Sequence, residues 1–132
     1  MKVLRVEPLV KPEIKEINGD LESLQKEVGG LIEAIYPFDD DAVVICNEEG
    51  KINGMELNRA LRDDDGEIFD IIAGPFLIAG ISEDSFAGLS EEQLKRYTEQ
   101  FRKPEMFARK NGMIVAVRLD LDIEKARMDN ER

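Results

Sequence analysis

The dipeptide Gly74-Pro75 interrupts the longest apolar stretch of the chain, which covers residues 67–81. Proline lacks a backbone N–H and clashes with the preceding turn, so one helix cannot run through this stretch. The part of it that contains no charged residue, residues 71–81, is also shorter than the roughly 20 residues that a membrane-spanning helix needs. The stretch therefore predicts two short strands on either side of a kink or bulge, and no membrane span.

Two other segments carry apolar residues at helical spacing, which places them on one face of a helix. They are Leu21, Leu24 and Val28 in the first segment, and Leu94, Tyr97 and Phe101 in the second. The first helix is predicted to end at Gly29-Gly30, because glycine readily adopts the left-handed cap conformation. The second is predicted to begin after Ser90, with Gln93 completing a capping box, and to run to about residue 103.

Short runs rich in β-branched and apolar residues predict the remaining elements. Strands are expected over residues 1–7, 13–17, 31–37, 42–46, 51–52 and 113–119, with 42–46 as a central strand covered on both faces. Residues 55–62 are ambiguous between a helical turn and irregular structure, and residues 82–89 are interpreted as a loop. The pattern predicts an α+β fold with a mostly antiparallel sheet and two main helices. We expect one domain over residues 1–119 and a charged tail over 120–132.

The chain is strongly acidic, with a formal net charge of −11. Most of the excess lies in residues 31–70, which hold two aspartate clusters: Asp39, Asp40 and Asp41, and Asp63, Asp64 and Asp65. This charge repels nucleic acid and anionic membranes, so direct binding to either is disfavoured. The clusters do not fit a calcium loop and are interpreted as an acidic, solvated surface with no metal. A basic stretch between residues 95 and 110 is interpreted as a solvated helix face.

Histidine is absent and Cys46 is the only cysteine. These two facts exclude Ser-His-Asp and Cys-His mechanisms, histidine and thiolate zinc sites, and an internal disulfide. Cys46 follows an apolar run, which favours a buried, unreactive thiol. The N-terminal residues lack the continuous apolar core of a signal peptide, so a cytoplasmic location is expected. No catalytic residue and no cofactor is predicted.

Four stretches carry a family resemblance: residues 1–8 (MKVLRVEP), 45–51 (ICNEEGK), 57–63 (LNRALRD) and 70–80 (DIIAGPFLIAG). With residues 89–101 they resemble, over about residues 1–119, a family of small domains of unknown function in phages, plasmids and other mobile elements of Gram-positive bacteria. The resemblance implies no reaction. It draws attention to Glu48, Asn58, Arg59 and Arg62 as a candidate polar site. Their alternative role is structural, with an arginine paired to Asp63 or Glu67.

Three functional hypotheses remain open at this level. The first is a non-catalytic interaction or accessory protein that binds another protein, with host modulation or counter-defence as roles implied by the resemblance. The second is an acidic mimic of nucleic acid that occupies a basic cleft, based on the charge of residues 31–70. The third is a small ligand-binding or enzymatic domain that uses Asn58, Arg59 and Arg62 with Glu48. A small sheet also leaves edges that a homo-oligomer would cover.

Overall fold

A computed structural model of the protein describes residues 1–119, and the predicted tail over 120–132 lies outside the described residues. The described residues form the following strands and helices, named in chain order. They are β1 (Lys2–Val6), β2 (Glu13–Glu16), α1 (Leu21–Val28), β3 (Ile32–Ile35), β4 (Ala42–Asn47), β5 (Leu57–Arg62), β6 (Ile68–Ala73), β7 (Phe76–Ser82), β8 (Ser85–Ala87), α2 (Glu91–Gln100), β9 (Glu105–Lys110) and β10 (Met113–Arg118).

All strand pairs among the described residues are antiparallel, which confirms the predicted α+β class. The main sheet has the order β2-β1-β7-β4-β3, and β8 pairs with the end of β7. Two further sheets have two strands each, β5 with β6 and β9 with β10. Gly74 separates β6 from β7 with a φ of 82°, so the chain leaves one sheet and enters another at the predicted kink.

The main sheet is covered on both faces, and each face has its own apolar core. Val3, Val43 and Leu77 point toward the face where Leu24 of α1 packs. Their neighbours along the strands point to the opposite face and pack against α2 and the β5–β6 sheet. These neighbours are Leu4, Val44 and Ile78, and they contact a cluster that includes Leu61, Ile72, Leu94, Tyr97 and Phe101. Every residue of β4 is buried, as predicted for a strand covered on both faces.

Helix α2 begins as the sequence predicts, and in α1 Leu24 and Val28 are buried as predicted while Leu21 is 58% exposed. In α2, Ser90 Oγ accepts the N–H of Gln93, and the Gln93 side chain accepts the N–H of Ser90, which forms the capping box. Gly29 ends α1 in the left-handed conformation with a φ of 80°. The helix α2 ends at Gln100, three residues before the predicted end. Within residues 1–119 neither helix has the length and apolar character needed to cross a membrane.

Other local predictions are wrong. Residues 51–52 lie in consecutive turns, where the N–H of Asn53 donates to the carbonyl of Glu49 and Ile52 is 85% exposed. Residues 55–62 are neither helical nor irregular, because they contain strand β5. Residues 82–89 contain strand β8, which closes a tight hairpin with β7. Strand β9 has no counterpart in the sequence prediction and pairs along its whole length with β10.

Candidate functional site

A β-bulge in β5 directs two consecutive polar side chains into the interior. Leu57 lies opposite Ala73 and Arg59 lies opposite Ile72, so Asn58 is the extra residue. Neighbouring side chains of a regular strand point to opposite faces, and a bulge relaxes this alternation. Asn58 and Arg59 are exposed by only 0% and 1%. The bulge therefore allows one strand to bury an amide and a guanidinium side by side.

The guanidinium of Arg59 is held by oxygen atoms from several parts of the chain. Its Nε donates to the carbonyl of Phe101 at 3.1 Å, and its Nη2 donates to the carbonyl of Val10 at 2.7 Å. Its Nη1 donates to Asn58 Oδ1 at 2.9 Å and to the carbonyl of Glu7 at 3.4 Å. Burial lowers the pKa of Arg59 to about 10, so the side chain remains charged at neutral pH.

Asn58 adds two more links to the same network. Its Nδ2 donates to the carbonyl of Val6 and to the carbonyl of Gly74, both at 2.9 Å. The amide thus ties the end of β1 to the connection between β6 and β7. Arg59 ties that network to the end of α2 through Phe101. Both side chains donate to the protein's own backbone, which is a structural role different from the pairing of an arginine with Asp63 or Glu67 that the sequence suggested.

Glu105, the first residue of β9, completes this cluster and was not identified from the sequence. Its side chain is exposed by 3%, and its Oε2 accepts the backbone N–H of Ala60 at 2.9 Å. Its Oε1 pairs with Nη2 of Arg62 at 2.5 Å. Its charge also partly opposes the lowering of the Arg59 pKa by burial. One carboxylate therefore joins the β9–β10 hairpin to strand β5.

The four candidate residues do not form one site. The structure brings Asn58, Arg59 and Arg62 together on β5, where Arg62 pairs with Glu105 and not with Asp63 or Glu67. Glu48 lies on an exposed turn and lines a different depression, together with Lys51 and Asp70. Lys51 and Asp70 form an ion pair with each other, at 2.6 Å. The hypothesis of a polar pocket that combines Glu48 with the β5 residues gains no support from this geometry.

Of the first aspartate cluster, Asp40 has a structural function. Its Oδ2 accepts the hydroxyl of Tyr97 at 2.6 Å, the Nε2 of Gln93 at 3.2 Å and the Nη1 of Arg96 at 3.0 Å. These three donors all lie on α2, so Asp40 holds the helix against the loop before β4. Asp39 and Asp41 are exposed.

The second aspartate cluster forms the turn between β5 and β6. Asp63 Oδ1 accepts the backbone N–H of Asp65 at 3.0 Å and that of Glu67 at 2.9 Å, while Asp64 is exposed. Short polar side chains that accept nearby backbone donors are typical of turns. Within the described part of the chain no three acidic, cysteine or histidine side chains come together in a group that could hold a metal ion.

Cys46 occupies the buried environment that its sequence neighbours predict. The residue is exposed by 5%, on strand β4. Burial raises the pKa of its thiol to about 11, and the charges of Glu33 and Asp70 add to this effect. A thiolate is the reactive form of cysteine, and it is scarce at neutral pH when the pKa is this high. Cys46 is therefore a poor nucleophile in the folded protein.

The β9–β10 hairpin presents an exposed apolar face. Directly opposed residues of an antiparallel pair share a face, and Met106 opposes Val117, Ala108 opposes Val115, and Lys110 opposes Met113. We call this set the hairpin face. Its large apolar members are exposed to an unusual degree. The exposed fractions are 56% for Met106, 71% for Met113, 40% for Val115 and 54% for Val117.

The turn of this hairpin carries a sequence signal that could have revealed β9. Asn111 and Gly112 both have positive φ angles, 53° and 78°, and Lys110 pairs with Met113 across them. A two-residue turn of this kind matches the twist of antiparallel strands, and Asn-Gly is its most typical sequence. An Asn-Gly dipeptide before a predicted strand therefore indicates a partner strand before the dipeptide.

Comparison with known proteins places most of this fold in one family. A family model described as a domain of unknown function, DUF3846, matches residues 1–102. The match covers the main sheet, both helices and the β5–β6 sheet, and it ends before the β9–β10 hairpin. No curated protein and no solved structure matches the chain. The protein belongs to the family of domains of unknown function DUF3846.

Proposed function

We propose that the protein is a non-catalytic interaction domain that binds an extended segment of another protein on the hairpin face and along the outer edge of β10. The observation that carries this proposal is the exposure of Met106, Met113, Val115 and Val117 on one face of a two-stranded sheet. Contiguous exposed apolar surface on a small protein marks an interaction site or an aggregation liability. A protein partner that covers this face removes the liability.

The free edge of β10 supplies the second element of the binding surface. In the described part of the chain β10 pairs with β9 alone, so one side of its backbone has no strand partner. Natural proteins protect such edges with charges, proline or bulges. Residues 113–117 contain no charged residue and no proline. An added strand would satisfy the backbone groups of β10, and alternate side chains of that strand would lie on the hairpin face.

The charge of the hairpin selects the chemistry of the partner. Residues 106–118 contain Arg109, Lys110 and Arg118 and no acidic residue, although the whole chain has a net charge of −11. A segment that alternates acidic and apolar residues complements this local charge. The acidic remainder of the protein repels long polyanions such as nucleic acid. A short acidic segment of a protein is therefore the partner that we propose.

The arrangement of the polar residues supports a role without catalysis. The side chains of Asn58 and Arg59 donate to backbone carbonyls of the protein itself, so their donors are not directed at a substrate. The acidic-mimic hypothesis has less support, since the carboxylate of Asp40 is engaged by three side chains of α2. From the family resemblance we further propose a cytoplasmic accessory role, in which a mobile element uses this domain to modulate a host protein or counter its defence.

Titration with a defined peptide tests the binding mode. The probe is an eight-residue peptide that alternates glutamate and valine, and a peptide that alternates lysine and valine serves as the charge control. We expect the glutamate peptide to shift the backbone amide resonances of residues 113–118 and to slow their hydrogen exchange. We expect the Val115→Glu variant to bind it at least tenfold more weakly, since this change places a like charge at the centre of the edge.

Two results would contradict the proposal. One is an unchanged spectrum of residues 113–118 at millimolar peptide, and the other is equal binding of the glutamate and lysine peptides. Phe69→Glu is the matched control variant, because Phe69 is a 52% exposed apolar residue on a different two-stranded sheet. It should bind as the parent protein does. Concentration-dependent dimerisation that Val115→Glu abolishes would identify a second copy as the occupant and would overturn the assignment to another protein.

A further inference from the structure

A second surface, on different elements from the hairpin face, has the opposite charge. A cleft of about 560 Å³ lies between the start of α1, the region of β3 and the β7–β8 hairpin. This volume falls in the range of pockets that hold small molecules or a few side chains. The cleft lies entirely within residues 1–102, which match the family. We refer to it as the α1–β8 cleft.

About half of the wall of the α1–β8 cleft is apolar, and part of it is aromatic. Leu24, a buried residue of the core beneath α1, contributes to its lining. Leu21 and Tyr36 also line it and are exposed by 58% and 65%. Phe86 of β8 adds a second aromatic ring. A ligand with apolar parts would bury these exposed leucine and tyrosine side chains, and removing their apolar surface from water favours binding.

The charged side chains that line the cleft are both acidic. Glu83 and Asp84 form the turn between β7 and β8. Neither carboxylate forms an ion pair or accepts a hydrogen bond from a side chain within residues 1–119. By contrast, the carboxylates of Asp40, Asp70 and Glu105 are each engaged by a basic side chain. The cleft therefore combines partly apolar walls with an uncompensated negative charge.

We infer that the α1–β8 cleft binds an arginine side chain of a peptide segment, together with a neighbouring apolar residue. A guanidinium can pair with a carboxylate through two parallel hydrogen bonds, and it also stacks on aromatic rings. Glu83 and Asp84 supply the carboxylates, and Tyr36 and Phe86 supply the rings. The apolar neighbour would cover Leu21, which is 58% exposed. This inference does not depend on the hairpin face, so either proposal can fail while the other holds.

The inference is tested with a pair of peptides that differ in one charge. The probe is a capped tripeptide with arginine between two leucines, and the control peptide carries citrulline, which has the same shape without the charge. We expect the arginine peptide to shift the amide resonances of Glu83 and Asp84 and the methyl resonances of Leu24. We expect the citrulline peptide to bind at least tenfold more weakly, and increasing salt to weaken the arginine peptide selectively.

Variants separate the cleft from the general acidity of the protein. The double change Glu83→Gln and Asp84→Asn should weaken binding of the arginine peptide at least tenfold. Asp64→Asn, an exposed acid in another turn, should have no effect. Equal binding of the arginine and citrulline peptides, or unchanged binding by the double variant, would overturn the inference. Binding of free agmatine or spermidine as tightly as the peptide would assign the cleft to a small organic cation and would overturn the peptide as its ligand.

Discussion

The hydroxyl of Tyr97 donates a hydrogen bond of 2.6 Å to Oδ2 of Asp40, and this contact joins α2 to the loop before β4 across 57 positions of the chain. Tyr97 is almost fully buried, with an exposed fraction of 2%. The hydrogen bond is the main cause that lowers the pKa of Asp40, with further contributions from Gln93 and the charge of Arg96. The pKa of Tyr97 is raised, first by burial and then by Asp40.

The first prediction concerns the acid stability of this contact. Tyr97→Phe should lower the free energy of unfolding at pH 7 by about 1 kcal/mol, which is less than the roughly 1.5–3 kcal/mol of hydrogen bonds to charged groups because Asp40 is partly exposed. The pKa of Asp40 is lower in the folded protein than in the unfolded chain. The stabilisation by this hydrogen bond is therefore complete above the unfolded aspartate pKa of about 3.9, and it is lost as the pH falls through the pKa of Asp40 in the folded protein. Urea denaturation should therefore show a difference between parent and variant that is constant from neutral pH to about pH 4 and shrinks below it.

The matched control for this prediction is Glu92→Gln, which removes an exposed partner of Arg96 on the same helix. Exposed ion pairs contribute little to stability, so this variant should follow the parent protein at every pH. A difference between Tyr97→Phe and the parent that stays the same at pH 3 would show that Asp40 is not the group responsible.

The second prediction concerns the buried guanidinium of Arg59. Arg59→Met fills a similar volume but leaves the carbonyls of Val10 and Phe101 without their donor. A buried acceptor left unsatisfied costs about 1–3 kcal/mol, and the Phe101 carbonyl and Asn58 Oδ1 are both buried, so we expect a loss of about 3 kcal/mol in the free energy of unfolding. Arg59→Lys should also destabilise, because an ammonium cannot reproduce the planar set of donors. Denaturant unfolding of both variants measures the effect, and a lysine variant as stable as the parent would contradict the described network.

Much of the main sheet and both helices could be predicted from local patterns. β4 and β7 are mostly apolar runs bounded by turn residues, and β1 is a short segment rich in valine and leucine that is followed by Pro8, and such patterns indicate strands. The capping box at Ser90 and Gln93 is equally local, since both partners lie within three positions. These elements depend on neighbours in the sequence, and the sequence therefore contains the information that identifies them.

Strand β5 escaped prediction because of its bulge. Its apolar residues Leu57, Ala60 and Leu61 are spaced by three and four positions, which is typical of a helix. The extra residue at Asn58 shifts the alternation of the strand, so the period of two disappears from the sequence. A second irregularity follows between Leu61 and Arg62, where the extra residue is Phe69 on the partner strand β6. The family resemblance drew attention to Asn58 and Arg59, while their burial and their partners follow only from the three-dimensional structure.

Glu105 shows why part of the candidate site could not be predicted from the sequence. It is one acidic residue after a proline in a stretch that also holds basic residues, and nothing near it in the chain signals burial. Its partners Ala60 and Arg62 lie 45 and 43 positions away. The basic stretch over residues 95–110 was interpreted as a solvated helix face, and residues 95–100 do lie on α2, but residues 105–110 form strand β9. Long-range pairing of this kind leaves no trace in local spacing.

The third prediction compares two glycines that are constrained for different reasons. A Cβ at Gly80 of β7 would lie 2.5 Å from the backbone oxygen of Gly88, so Gly80→Ala must displace the backbone. A Cβ at Gly66 would meet nothing within 4 Å, but its φ of 83° is unfavourable for alanine. We expect Gly66→Ala to cost about 1 kcal/mol and Gly80→Ala clearly more. Thermal unfolding of the two variants checks this order, and equal midpoints would contradict the close approach of the Gly88 backbone to Gly80.

The last prediction concerns Glu105 and the attachment of the β9–β10 hairpin. Glu105→Ala removes the acceptor of the Ala60 N–H and the partner of Arg62. It also removes the negative charge that partly offsets the effect of burial on the pKa of Arg59. We expect a loss of about 2–3 kcal/mol, since a buried donor and a charged partner are both left unsatisfied. Hydrogen exchange at the Ala60 amide should accelerate in this variant.

Glu105→Gln separates the two functions of this carboxylate. A glutamine oxygen can still accept the Ala60 N–H, so exchange at that amide should stay close to the parent rate, while the ion pair with Arg62 is lost. Limited proteolysis within residues 105–118 should become faster in Glu105→Ala than in Glu105→Gln, because the hairpin is joined to β5 through this side chain. An Ala60 amide that exchanges at the parent rate in Glu105→Ala would show that another acceptor protects it, and the carboxylate would then not be what fixes the hairpin to the domain.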